Sequence, residues 1–144
     1  MKSFETNGLK KVILIQMGDG DLLLESINET IKKYNIVNGV VLSGIGTLKK
    51  AKLHYVNTLD PKPENIFEEA DEPFELCSID GLIIDGEPHL HFVNSARNKV
   101  GYIGHLETDC VVHYLAEVAI AELDCDDVFT RTTNQYGIGV LGEK

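Results

Sequence analysis

Helical periodicity occurs in one stretch of this 144-residue chain, and most other apolar segments are short, β-branched and cut by glycine. That imbalance limits the fold more than any single motif does. A chain with one amphipathic helix and many strands must build its core on a sheet. The helical stretch is LLLESINETIKKY, residues 22–34. Leu24, Ile27, Ile31 and Tyr34 recur at helical spacing, while Glu25, Asn28, Glu29, Lys32 and Lys33 form the wet face. Asp21 suits the positive end of the helix dipole, and the two lysines suit the negative end.

The remaining segments read as strands. KKVILIQM (10–17) is a short β-branched run expected to be buried. VNGVVLSGIG (37–46) and TLKKAKLHYVN (47–57) follow the helix, and Pro61, Pro63 and the acids up to Asp71 read as a long surface loop. PFELCSIDGLII (73–84) alternates and then turns continuously apolar, which predicts a strand with a bulge at Asp80-Gly81. DGEP (85–88) signals a hairpin turn. HLHFVN, GYIGHLE and CVVHYLAEVAIAEL complete a mainly antiparallel set, with VFTRTT and YGIGVL as two short last strands. The expectation is a single α+β domain over residues 1–144, with a twisted sheet and one principal helix.

Composition narrows the function. The chain carries 13 basic and 23 acidic residues, a net charge of -10, with acids gathered at residues 64–75 and 122–127. Gripping duplex DNA requires clustered Lys and Arg, and the short clusters here are Lys10-Lys11, Lys32-Lys33 and Lys49-Lys50-Lys52. Nucleic acid is therefore not an expected partner. No apolar run reaches the roughly 20 residues of a membrane span. MKSFETNGLKK lacks the pattern of a secretion signal, so the expected location is the cytoplasm. Cys77, Cys110 and Cys125 show no paired spacing, so no disulfide framework is expected and each reads as a small buried or half-buried apolar residue. GDGD (18–21) and SGIGTL (43–48) are turn glycines rather than phosphate cradles, so no nucleotide cofactor is expected.

The chemistry concentrates in PHLHFVNSARNKVGYIGHLE, residues 88–107, which holds three of the five histidines. On a strand, His89 and His91 project to the same face with Leu90 opposite. VNSARNKVG has the length and composition to turn the chain back and bring His105 beside them. Three neutral imidazoles suit one divalent metal ion, zinc first, with nickel, cobalt, iron or manganese also fitting, and leave a tetrahedral ion one ligand short. Glu107 points the same way as His105, as a fourth ligand or as a base. Asp85 and Glu87 are acceptors in reach of a ring N–H. His54 alternates with Leu53 and Tyr55 and is expected to face solvent or an interface. His113 and Glu117 share one face of their strand with Val111, Leu115 and Ala119. They are expected to form a satisfied polar pair or to border a subunit interface.

The order of these pieces resembles the PPC domain, the plant and prokaryote conserved domain also found in plant AT-hook proteins. The resemblance covers about residues 11–141, and PHLH (88–91) followed by GHL (104–106) is its most specific part, with SGIGTL and FEL in the right order. It implies a strongly bent, mainly antiparallel sheet around one helix, assembled as a homotrimer. It also implies that His89, His91 and His105 bind a metal near a subunit boundary. Where the family commonly carries Arg and Pro-Gly-Glu, this chain has Gln16 and Asp19-Gly20-Asp21, and Ile103 and Asp109 replace common glycines. No basic AT-hook core is present. Three functions fit: a metal-binding trimer with a ligand-binding or regulatory role; a metal-assisted hydrolase or lyase with Glu107 or Glu117 as base; or an interaction module for protein or DNA-associated partners. Arg131 in VFTRTT is a candidate to reach the histidines or an interface.

Overall fold

The computed structural model describes residues 1–97, 101–125 and 129–143. The middle of the expected turn in VNSARNKVG (98–100), two acids of the second acidic cluster (126 and 127) and the first residue of VFTRTT lie outside the described residues. The elements run β1 (Gly8–Gly18), α1 (Leu23–Lys33), β2 (Gly39–Val56), β3 (Asn65–Ala70), β4 (Phe74–Ile84), β5 (Glu87–Ala96), β6 (Gly101–Leu106), β7 (Val111–Asp124), β8 (Phe129–Thr133) and β9 (Gly139–Glu143). Seven strands form one sheet in the order β1-β7-β2-β4-β5-β6, with β3 also on β2, while β8 and β9 make a separate hairpin. Every pairing is antiparallel. The α+β class holds, with strands predominating and one α-helix among the described residues.

The helix buries Leu23, Ile27 and Ile31, an i, i+4, i+8 seam that joins the core. The expected seam was one residue out of phase at its start. Leu24 is only partly buried against the core, and Tyr34 is exposed at the helix end. Tertiary ties set this phase: the Leu23 N–H bonds the Cys110 carbonyl, and Leu22 bridges to Val111. Asp21 closes a turn, accepting from the Gly18 N–H at 2.7 Å, and makes no side-chain cap on the helix. At the other end Asn35 takes φ 52°. There Ile36 N–H reaches the Ile31 carbonyl and Asn35 N–H the Lys32 carbonyl, the paired bonds of a Schellman stop.

β2 organises the sheet. Its first half lies between β7 and β4, and beyond Lys50 it exchanges them for β3 and β6. The pairs Leu53↔Leu106 and His54↔His105 join β6 back to β2, closing β2, β4, β5 and β6 into a ring. The expected long loop therefore shortens, because residues 65–70 form β3 against β2. Backbone groups of β2 past the end of β7 need partners, and β3 supplies them. Lys50–Glu69 at 2.9 Å and Tyr55–Glu68 at 2.8 Å fasten the pair. β1 is an edge strand rather than a buried one. It sinks Ile13 and Met17 and leaves Leu14 81% exposed.

Two backbone features place the histidine strand. Asp85 (φ 56°) and Gly86 (φ 78°) make the expected hairpin turn, both residues in the left-handed region that a two-residue turn needs. The bulge in β4 falls between Leu76 and Ser78, not at Asp80-Gly81, which keep register with His91 and Leu90. Gly81 answers a different demand. At φ 147° a Cβ there would lie 2.1 Å from the His89 carbonyl oxygen, so glycine lets β5 approach. Gly81→Ala should therefore push β5 outward and lower stability by about 2 kcal/mol or more. Chemical denaturation would measure it, with the histidine resonances shifting in NMR.

Candidate metal centre

Strand alternation in β5 buries Leu90 and Phe92 and turns His89 and His91 outward, as their spacing requires. β6 pairs His105 directly opposite His91, and β2 pairs His54 directly opposite His105. One row of imidazoles, His91–His105–His54, thus crosses three strands, with His89 two residues along from His91. Ring centroids are 5.5 Å apart for His89–His91, 5.0 Å for His89–His105 and 5.5 Å for His91–His105. His54 stacks on His105 at 4.4 Å with the planes 17° apart.

One carboxylate backs this row. Glu107 Oε1 lies 2.5 Å from His54 Nδ1 and 3.4 Å from His105 Nδ1. A carboxylate only accepts, so His54 Nδ1–H donates to it. The His105 contact falls outside hydrogen-bonding geometry, which leaves His105 Nδ1 buried and without a partner. Ligand atoms of His54, His105 and Glu107 all lie within 4.8 Å of one another. His54 is the member that sequence reasoning missed. Alternation correctly turned it away from the core, but the neighbour it meets lies 51 residues further on.

Burial dominates the electrostatics. It lowers the pKa of His105, with further lowering by His54 and His89 outweighing the opposing pull of Glu107. It likewise lowers the pKa of His89, and Arg131 and the His91 ring add to the effect. Both imidazoles are held toward the neutral form that a metal requires.

The other candidates lie apart. His113 Nδ1 is 3.2 Å from Asp19 Oδ1, a carboxylate that also takes Lys49 at 2.9 Å. The expected His113–Glu117 pair is therefore replaced by His113–Asp19. The cause is a bulge: β2 and β7 lose register between Gly46 and Leu48, and Tyr114 takes φ 59° and swings out to 72% exposure. Tyr114 thus leaves the inner face that Val112 and Ala116 keep. Glu117 stands across from Gln16 and Ile45, on the β1–β7–β2 face. Asp85 sits in the hairpin turn, Glu87 opens β5, and Arg131 lies on β8.

A largely antiparallel sheet closed through β2, carrying a histidine row on its strands, defines a class of small α+β domain. The chain belongs to the Plants and Prokaryotes Conserved (PCC) domain family, whose model matches residues 4–124. Two solved archaeal structures are similar over nearly the whole chain. A metal-containing protein from Archaeoglobus fulgidus is 26% identical, covering 99% of this chain and 100% of that one, with a TM-score of 0.83. A plant- and prokaryote-conserved (PPC) protein from Pyrococcus horikoshii is 28% identical, covering 100% of this chain and 99% of that one, with a TM-score of 0.80. Acetylglutamate kinase of Caldicellulosiruptor bescii is 26% identical over 121 residues, 81% of this chain. The match spans only 39% of that kinase's length.

The lowered pKa values set a sign for acid stability in the metal-free protein. A histidine whose folded pKa lies below its unfolded value costs nothing while both states are neutral. It destabilises the fold as pH falls from about 6.5, where the unfolded chain takes up protons first. Urea denaturation between pH 7.5 and 5 should show falling stability, with a shallower fall in His89→Gln.

Proposed function

We propose that this protein holds a divalent metal ion, zinc by the character of its donors, on His89, His91 and His105, and uses it in a ligand-binding or regulatory role. The observation that carries this reading is the imidazole row, with neighbouring rings 4.4–5.5 Å apart and one carboxylate behind it. The donors fit such an ion. Two of the imidazoles are held toward neutrality, and Glu107 stands 3.4 Å from the buried, unpartnered Nδ1 of His105. A ligating histidine commonly has a carboxylate on its other ring nitrogen. When bound, the ion would supply a Lewis-acidic centre. The chain's own part is to orient: Glu107 fixes the tautomer of His54, and the β2–β6 pairing keeps His54 stacked on His105. The similarity to the metal-containing protein of Archaeoglobus fulgidus supports this reading.

A competing donor set, His54, His105 and Glu107, makes the assignment testable. Untagged protein should carry about one metal equivalent per chain by elemental analysis, falling below about a tenth in His91→Ala and in His105→Ala. His54→Ala should keep its metal. Loss in His54→Ala with retention in His91→Ala would move the ion to the second set, and no tightly bound metal in the parent protein would end the metal reading.

The protein is further read as a homotrimer assembled through the β1–β7–β2 face. Leu14, Ala119 and Ser43 form one row across these strands, and Gln16, Glu117 and Ile45 the next. Val12, Leu14, Ile45 and Leu115 stand exposed on it, around a hollow of about 440 Å³. An apolar patch of that kind marks an interface more often than a free surface. Light scattering should give three copies of the 15.9 kDa chain, and Leu14→Asp should shift the mass toward one copy with the fold intact by circular dichroism.

The surface lysines argue against a nucleic-acid role. Lys10 and Lys11 pair with Glu122, Lys49 with Asp19, and Lys50 and Lys52 with Glu69 and Asp109. Their charge is already answered within the chain, and a phosphate backbone would have to displace carboxylates to reach it.

A further inference from the structure

We propose that the histidine cluster receives a small oxyanion, a carboxylate or phosphate group, and that Arg131 recognises its charge. This rests on the reading of the cluster as a metal site and extends it to the chemistry of the ligand.

Arg131 is one of two arginines in the chain, and it is half-buried on β8. Its strand, β8, is anchored by Phe129, which is buried and packs on Phe4 at 5.5 Å. β8 lies against β4, the strand that pairs with β5 through Leu82↔His89 and Asp80↔His91. The Nε of Arg131 is buried and has no hydrogen-bond partner. Among the described residues no carboxylate comes within 4.0 Å of its guanidinium, although five lysines of the sheet each find one. One strand, β4, thus separates the strand of Arg131 from the histidines of β5.

The energetics of this placement point to a missing negative group. A buried polar hydrogen without an acceptor costs about 1–3 kcal/mol, more for a charged group. A divalent ion on the histidines would add two more positive charges beside the same guanidinium. Glu107 cannot offset them alone, because it is already engaged by His54 at 2.5 Å. An oxyanion answers every term at once. It accepts from the planar guanidinium in bidentate fashion and is drawn by the ion. A neutral ligand would leave the charge standing, and a cation would add to it.

The test uses the Co²⁺-loaded full chain, whose visible spectrum reports any change around the ion, with calorimetry alongside. Oxalate, inorganic phosphate and, as control, chloride are titrated into the parent protein, Arg131→Met and Arg131→Lys. Oxalate or phosphate should bind the parent and perturb the spectrum, and whichever binds names the carboxylate or the phosphate source. Arg131→Met should weaken that binding at least about tenfold with Co²⁺ content unchanged, and Arg131→Lys should weaken it less. Absence of oxyanion binding in the parent, equal binding in Arg131→Met, or chloride competing as well as the oxyanions would overturn the proposal while leaving the metal site standing. If Arg131→Met does not fold, Arg131→Lys carries the comparison. If the chain takes up no Co²⁺, the metal reading fails. Calorimetry on the metal-free protein then decides Arg131's part: Arg131-dependent oxyanion binding upholds it, and none overturns it.

Discussion

The pairing of β6 with β2 is the contact on which the rest of the molecule depends. Two residue pairs, Leu53↔Leu106 and His54↔His105, close four strands into a ring. The first sets two fully buried leucines into the core, and the second brings two imidazoles into register on the other face. One backbone contact thus serves packing and chemistry together, because adjacent strand residues point to opposite faces. Moving the register by one residue would send His54 inward and Leu53 out.

Charge organises the outside of the same sheet. The excess of acids is not spread evenly against the bases. Glu122 draws Lys10 and Lys11 across the β1–β7 register, and Glu69 draws Lys50 across β2–β3. Ion pairs at a protein surface contribute little to stability, on the order of 1 kcal/mol or less each. Their joint effect is to leave the sheet with few unanswered lysines. Against that background Arg131 stands out, as a cation with no carboxylate within 4.0 Å among the described residues.

Local patterns were legible where the interaction that decides them is itself local. The i, i+2 relation of His89 and His91, the left-handed turn at Asp85-Gly86 and the helix over 23–33 all follow from short-range geometry. Errors arose where a distant segment intervened. The helix seam starts at Leu23 rather than Leu24 because β7 bonds its first turn. The acids before Asp71 form a strand because β2 outruns β7 and needs a new neighbour. His113 turns to Asp19 instead of Glu117 because a bulge at Tyr114 interrupts the alternation on which the pairing was argued. His54 meets its partners the same way, since nothing within a few residues of it hints at His105.

By itself the sequence determined the class of fold, the family, the outward face shared by His89 and His91, and the charge balance that disfavours nucleic acid. The family shows in the order of its motifs, PHLH before GHL, and the rest depends on composition and on periods of two and 3.6 residues, all carried in the order of side chains. Only the tertiary structure decided that His54 joins Glu107 behind the histidine row, that Glu117 lies on another face, and that the Nε of Arg131 is buried without an acceptor. Those facts depend on which strands become neighbours. That choice is made by closing the sheet over a whole core, and no stretch of sequence contains it.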